Sequence, residues 1–153
     1  MFQPPTFTGI ICSVQQRNTE RFILIIPASS RFLPLVRQAM QTLVHEADVK
    51  DADVFELQLA VMEACNLVSH AYTGQDAVKA ISVSALFEGG TAHVTIDDGG
   101  GSRAGRKVRE KINSRQLPFE GKLALKTTKH LCDGVSLSSG ITGGLRIELT
   151  KQF

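Results

Sequence analysis

The chain has 153 residues, of which 42% are hydrophobic and 21% charged, and its formal net charge is +2. This length predicts one domain over residues 1–153, with residues 1–20 as an N-terminal extension or an extra strand. The small net charge gives no sign of direct nucleic-acid binding. No apolar stretch approaches the ~20 residues of a membrane span, and the N-terminus does not resemble a signal peptide.

The three cysteines, Cys12, Cys65 and Cys132, lie far apart among apolar neighbours and form no C-x-x-C pair. Such spacing indicates buried free thiols rather than disulfides or a metal site. Free thiols are typical of a reducing compartment, so the sequence predicts a cytoplasmic protein.

The N-terminal part of the chain predicts two strands and then a helix. Residues 9–14 and 22–26 are apolar runs joined by a polar stretch, which indicates a hairpin. Ser29 or Ser30 can cap the following helix, and Pro34 is tolerated in its first turn. The apolar face of this helix would hold Phe32, Val36, Met40 and Leu43.

Asp51 can cap the second helix, which should be central because it is apolar over much of its circumference. Its stripe is Phe55, Leu59 and Met62, widened by Leu57, Val61, Ala64 and Val68. Residues 81–86 alternate as a half-buried strand, and residues 91–96 form its partner after a Gly89-Gly90 turn.

Residues 99–122 are rich in glycine, arginine and lysine, with a short helical stretch at 108–112. The basic cluster is interpreted as a solvated mobile lid, or as a surface for an anion or an acidic partner. A helix at 123–132 and strands at 135–137 and 145–149 complete the chain. The order of elements predicts an α+β two-layer sandwich, a mostly antiparallel sheet covered on one face by helices.

One constellation carries chemistry: Glu63 and Asn66 on the second helix, and Asp97 opening a glycine-rich turn after a strand. Asp97 can accept a hydrogen bond from an adenine amine, and Gly99 and Gly101 leave room for close approach. The amide oxygen of Asn66 suits Mg²⁺, and the Glu63 carboxylate could accept a hydroxyl proton. From the residues alone, a polar helix edge and an ordinary turn remain the alternative.

Four blocks in matching order carry a family resemblance: "FILIIPASSRFLPLVRQAM", "LQLAVMEACNLVSHAY", "VTIDDGGG" and "HLCDGVSLSSGITGGLRIELTK". Over residues 22–151 the chain resembles the Bergerat-fold (GHKL) ATP-binding domains, and within them the bacterial anti-sigma factor serine kinases. The resemblance implies a cytoplasmic homodimer that uses ATP and Mg²⁺. Such a protein holds a sigma factor inactive and phosphorylates a serine of an anti-sigma-factor antagonist.

The resemblance also implies roles for single residues. Glu63 would be the catalytic base, Asn66 the magnesium ligand and Asp97 the adenine acceptor. The remaining nucleotide-binding residues would be Gly99, Gly101, Gly121 and Lys122.

The sequence departs from this family pattern at the helix motif, where Glu63 precedes Asn66 by three residues instead of four. A register that keeps Glu63 as the base puts Leu67 at the metal position. A register that keeps Asn66 puts Met62 at the base position. One residue of slip rotates a helical position by about 100°.

Two further nucleotide elements differ from the pattern. Lys122 and Ala124 stand at the two glycine positions of the phosphate loop, and Leu145 replaces a nucleotide-facing hydroxyl. The alternative function is therefore a degenerate pseudo-kinase that binds protein partners with weak or no ATP binding. A histidine-kinase-type ATPase module is disfavoured, because the sequence has no phosphoacceptor helix pair and only a short lid.

Overall fold

The computed structural model describes residues 19–45, 48–71, 80–98, 106, 110, 119–140 and 143–153, and for residues 69–71 and 119–121 the backbone alone. The helices it bounds are α1 (Leu33–Val44), α2 (Asp51–Ala71) and α3 (Phe119–Leu131). The strands are β1 (Thr19–Pro27), β2 (Ala80–Glu88), β3 (Thr91–Asp98), β4 (Gly134–Ser139) and β5 (Leu145–Gln152).

Several sequence-based predictions fall partly or wholly beyond these ranges, among them the basic stretch at 99–122, of which residues 106, 110 and 119–122 are described. The strand predicted at 9–14 lies outside the described residues, as does the N-terminal extension up to residue 18. Thr19 and Glu20 already belong to β1. In the helical stretch predicted at 108–112, Glu110 is helical and the other residues are not described.

All five strands form one antiparallel sheet in the order β1-β2-β3-β5-β4. Buried residues alternate with more exposed ones along β2, β3 and β5, as expected where one face of a sheet is covered. The predicted two-layer sandwich is confirmed. We call the helix-covered side of the sheet the inner face and the opposite side the outer face.

The turn between β2 and β3 follows from its two glycines. Gly89 and Gly90 have φ angles of 57° and 75°, a backbone region that residues with a Cβ rarely adopt. Two successive positive φ angles match the twist of an antiparallel hairpin. The predicted pairing of these strands is confirmed.

The first helix has its predicted apolar face, but not its predicted cap. A 3-10 turn, Ser30–Phe32, leads into α1, and Pro34 lies in the first turn of α1. The side chain of Ser29 makes no capping hydrogen bond. The apolar face consists of three buried residues and one partly buried residue, namely Val36, Met40, Leu43 and Phe32.

The helix α2 buries only one side of the broad apolar surface that its sequence offers. Its start differs from prediction: the carbonyl of Lys50 accepts the first helical hydrogen bond, from Val54, so Lys50 and not Asp51 is the N-cap. The buried side carries Leu57, Ala60, Val61, Ala64 and Val68. Phe55, by contrast, is 60% exposed, and Leu59 and Met62 are half-buried.

The helix α3 packs along α2 and begins at Phe119, ahead of its predicted start at Leu123. The buried Thr128 hydroxyl donates to the Ala124 carbonyl at 2.8 Å and lies 3.5 Å from the Ala60 carbonyl of α2. None of the helices in the described residues is long and apolar enough to cross a membrane.

Candidate functional site

The two adjacent acids at the end of β3 face opposite sides of the sheet. Successive strand residues alternate between faces, and Val94 and Ile96 are buried on the inner face. Asp98 therefore faces the helices and is 4% exposed. Asp97 lies on the outer face, with its side chain 24% exposed.

Asp98 is held by the first residue of β5. The main-chain N–H of Leu145 donates to Asp98 Oδ2 at 2.9 Å. The Leu145 side chain is fully buried in the core. At the position where the family pattern has a hydroxyl, the chain thus supplies a core side chain, and its N–H orients the inner acid.

Asp97 forms a two-pronged ion pair on the outer face. Arg146 Nε donates to Asp97 Oδ1 and Arg146 Nη2 to Oδ2, both at 3.0 Å. The hydrogen bond with Asp97 and then its charge raise the pKa of Arg146 above the usual value. The role predicted for Asp97 at adenine stays a prediction, but the structure places its carboxylate on the side of the sheet away from α2.

On α2, Glu63 and Asn66 lie on the half-exposed side of the helix, together with Met62. Leu67 is 1% exposed and belongs to the core. In the register that keeps Glu63 as the base, the metal-ligand position therefore points into the core. Asn66 is the residue whose amide has access to a ligand.

A buried lysine fixes the opposite end of α2. Lys151 Nζ donates to Glu56 Oε2 at 2.7 Å and to the main-chain carbonyl of Leu131, at the end of α3, at 2.9 Å. Lys151 of β5 pairs across the sheet with Ala92, the second residue of β3. The start of α2, the end of α3 and the start of β3 are thus gathered at one end of the molecule.

From this anchor the elements lead to a common opposite end. Asn66 follows Glu56 by about 15 Å along the axis of α2. Asp98 follows Ala92 by about 20 Å along β3. α2 packs over β3 and β5 and stays buried through Val68. By these lengths, Glu63 and Asn66 lie toward the end of the helical layer that is nearer Asp98, and we call this the site end.

The start of α3 reaches the same end, because α3 runs antiparallel to α2. Leu131 lies at the level of Glu56, and Thr128 at the level of Ala60. Gly121 and Lys122 consequently lie near the level of Asn66, inside the first turn of α3 rather than in a loop before it. Lys122 is exposed. Gly99 and Gly101 lie outside the described residues.

Sequence reasoning missed Asp98, Arg146 and Lys151. The alternation of Val94 and Ile96 could have placed Asp98 inward. Arg146 and Lys151 gave no comparable signal, because their partners Asp97 and Glu56 are far away in sequence.

The described residues hold no cluster of three or more His, Cys, Asp or Glu side chains placed for a metal ion. The half-exposed amide of Asn66 fits an ion shared with phosphates, since Mg²⁺ commonly takes few protein ligands beside a nucleotide. A Mg²⁺ ion here would therefore depend on a bound triphosphate.

Comparison with solved protein structures concerns the fold. A solved structure of the RsbU and RsbW domains of Rv1364c from Mycobacterium tuberculosis is similar, with a TM-score of 0.56 and 17% identity over 86% of this chain and 31% of that chain. At this identity the likeness concerns the fold alone, and the chain spans under a third of that protein chain. No curated protein sequence matches.

The family follows from the sequence itself. The model of the histidine kinase-like ATPase domain matches residues 26–151, most of the chain. The chain therefore belongs to the histidine kinase-like ATPase domain family, within the GHKL superfamily that its sequence resembles.

Proposed function

We propose that this chain is an ATP-binding regulatory protein of the anti-sigma factor serine-kinase type. The proposal is supported by the Lys151 anchor and the antiparallel course of α2 and α3, from which we infer that Glu63, Asn66 and the first turn of α3 lie toward the end of the structure where Asp98 faces the helices. The four-block sequence resemblance, the family membership and the likeness in fold to a chain that contains an RsbW domain support it.

In the proposed site Asp98 binds the exocyclic amine of adenine. Its carboxylate faces the helices, and the bond from the Leu145 N–H fixes its orientation. A carboxylate has about four lone-pair sites, so it can accept more than one hydrogen bond. Asp97, the acid assigned from the sequence, is engaged by Arg146 on the other face. Gly99 and Gly101 follow both acids and keep their proposed role.

The other residues act on the phosphates. Asn66 would hold Mg²⁺, which supplies charge neutralisation at the triphosphate. Lys122 and the main-chain N–H groups at the start of α3, including Gly121, attract phosphate oxygens. Glu63, half-exposed one turn before Asn66, accepts the proton of a serine hydroxyl.

The proposed partners follow from the resemblance. The chain holds a sigma factor inactive and phosphorylates a serine of an anti-sigma-factor antagonist. It acts as a homodimer in the cytoplasm and does not contact nucleic acid itself.

Isothermal titration with MgATP tests the nucleotide site through the two adjacent acids. We expect micromolar binding to the wild type and a loss of at least about tenfold in Asp98→Asn, because an amide nitrogen replaces one of the acceptors. Asp97→Asn is the matched control and should change affinity less than about twofold, with both folds checked by circular dichroism.

The outcomes separate the assignments. Loss of binding in Asp97→Asn alone would return the adenine role to Asp97. No heat of binding to the wild type at millimolar MgATP would refute the nucleotide site.

The second candidate, a pseudo-kinase that acts only through protein contacts, is favoured by the slipped helix motif. Leu67 is buried, and Met62 stands where the base would be if Asn66 holds the metal. If Asn66 is the ligand and the base is misplaced, Met62→Glu should raise ADP formation with little change in ATP affinity. Unchanged turnover in Met62→Glu would count against the register with a misplaced base, and absence of ATP binding to the wild type at millimolar nucleotide would favour the pseudo-kinase.

A further inference from the structure

A groove crosses the outer face of the sheet, away from the proposed nucleotide site. It has a volume of about 450 Å³ and lies over β3, β5 and β4. The outer-face residues that line it are His93, Thr95, Gly134, Ser136, Glu148 and Thr150.

The charge of the groove is set by one acid. Glu148 is exposed, and Ser136 Oγ donates to Glu148 Oε2 at 3.1 Å. Among the described residues that line the groove there is no lysine or arginine. Arg146, on the same face of β5, donates its two hydrogen bonds to Asp97, and the charge of Glu148 also contributes to raising the pKa of Arg146. The groove therefore presents a carboxylate and hydroxyl groups to a cationic side chain.

The strand beside this groove lies at the edge of the sheet that the described strands form. β4 is the last strand in the sheet order, and within the described ranges no further strand pairs with it. Its sequence, Gly-Val-Ser-Leu-Ser-Ser, has no charged residue and no proline. Charges and prolines are the common devices that stop an edge strand from pairing with another chain.

We propose that the β4 edge and the groove form a docking site for an extended segment of a partner protein that carries a lysine or arginine. The segment adds a strand to β4 through main-chain hydrogen bonds, and its basic side chain lies in the groove beside Glu148. Added strands commonly gain affinity from the main chain and specificity from side-chain pockets. The site is on the opposite face from the nucleotide site, so it stands independently of the proposed function.

The probe is a fluorescein-labelled peptide, Thr-Val-Thr-Lys-Thr-Val-Thr, whose lysine shares one strand face with two valines. Fluorescence anisotropy with the full chain should give a Kd below about 1 mM. The same peptide with glutamate in place of lysine should bind at least about tenfold more weakly. No binding of the lysine peptide at about 1 mM protein would overturn the proposal.

Two variants test the groove, and a third is the control. Glu148→Gln should lower the affinity for the lysine peptide about fivefold. It should leave unchanged the affinity for a peptide with glutamine in place of the lysine, so the double-mutant cycle isolates the ion pair. Glu88→Gln, an exposed acid at the end of β2 that lies on the same face but does not line the groove, should change neither affinity. Equal weakening of both peptides by Glu148→Gln would contradict the placement of the lysine.

Gly134→Val places a side chain in the groove at a position that has room for a Cβ. A Cβ at Gly134 meets the Thr150 side chain at 3.6 Å, an ordinary contact distance. The variant should fold with unchanged or higher stability and bind the lysine peptide about tenfold more weakly. Wild-type affinity in this variant would show that the peptide does not occupy the groove.

The proposed main-chain hydrogen bonds between the peptide and β4 are tested by changing the peptide backbone. Alternate amides of a strand point to the same edge, so N-methylation of every second amide removes the donors on one edge only. One methylation pattern should abolish binding and the other should retain it. Equal effects of the two patterns would refute strand addition.

Discussion

The two ends of the helical layer are built differently. At the anchored end, Lys151 joins α2, α3 and β5 through Glu56 and the Leu131 carbonyl, and its side chain is 9% exposed. At the site end, Glu63 and Asn66 are half-exposed on α2, and Asp98 lies on the helix-covered face of the sheet. The contrast teaches that this fold fixes its helices at one end and leaves polar side chains accessible to a ligand at the other.

The largest expected effect on the free energy of unfolding tests which side of α2 is buried at the site end. Leu67→Asn places an amide in the core, where Leu67 is 1% exposed, and should lower the free energy of unfolding by about 3 kcal/mol or more. Asn66→Ala, one position away on the half-exposed side, should cost less than about 1 kcal/mol.

Urea denaturation followed by circular dichroism measures both variants. Similar costs for Leu67→Asn and Asn66→Ala would mean that the site end is open on both sides of α2. The burial of Leu67 would then no longer argue against the register that keeps Glu63 as the base and places Leu67 at the metal-ligand position.

An intermediate effect tests the anchored end. Lys151→Met keeps the aliphatic length but leaves the Leu131 carbonyl without this donor, and should destabilise the chain by about 2 kcal/mol. The estimate is moderate because the partner Glu56 side chain is 45% exposed and can be solvated. Lys129→Met, at an exposed position of α3, should cost less than about 0.5 kcal/mol.

Chemical denaturation of these two lysine variants gives the comparison directly. If Lys151→Met were as mild as Lys129→Met, the lysine would not be what joins the helices to β5, and the anchored end would need another explanation.

The smallest effect concerns pH and the core side of α2. Burial raises the pKa of Cys65 from 9.0 to about 12. The folded state thus keeps this proton at pH values where the unfolded chain loses it, so the contribution to stability is complete below about pH 9 and is lost as pH rises toward 12. Between pH 8 and pH 10 the wild type should lose about 1 kcal/mol more stability than Cys65→Ala.

Urea midpoints of wild type and Cys65→Ala at the two pH values check this difference. An equal loss in both proteins would show that the Cys65 thiol is solvated, and hence that α2 is not closed against the sheet beside Asn66.

Much of the fold could be predicted because local patterns agreed with it. Alternation fixed the inner faces of β2, β3 and β5, and the Gly89-Gly90 pair fixed the hairpin. The buried face of α2 was harder to predict. That helix is apolar on two sides, and the choice between them depends on packing against the sheet, which a single periodicity does not reveal.

The sequence indicated the α2 motif and the turn after β3 as the candidate site, but it did not indicate which of the two adjacent acids faces the helices. The glycine-rich turn drew attention to Asp97, whereas strand alternation places Asp98 on the inner face. The ion pairs of Arg146 and Lys151 join residues distant in sequence, so no local pattern announces them. Likewise the early start of α3, which takes in Gly121 and Lys122, has no cap signal in the sequence.

The glycines at the two ends of β4, Gly134 and Gly140, differ in how readily they accept a side chain. A Cβ at Gly140 would lie 2.9 Å from Asp97 Oδ1, closer than real Cβ atoms come, whereas Gly134 has room for one. A saturation library selected for folded protein should therefore accept fewer residues at position 140, where the Asp97 side chain must shift and disturb its ion pair with Arg146, than at position 134. Natural variation along this hairpin would then be greater at its β4 start, next to the groove, than at the end beside Asp97.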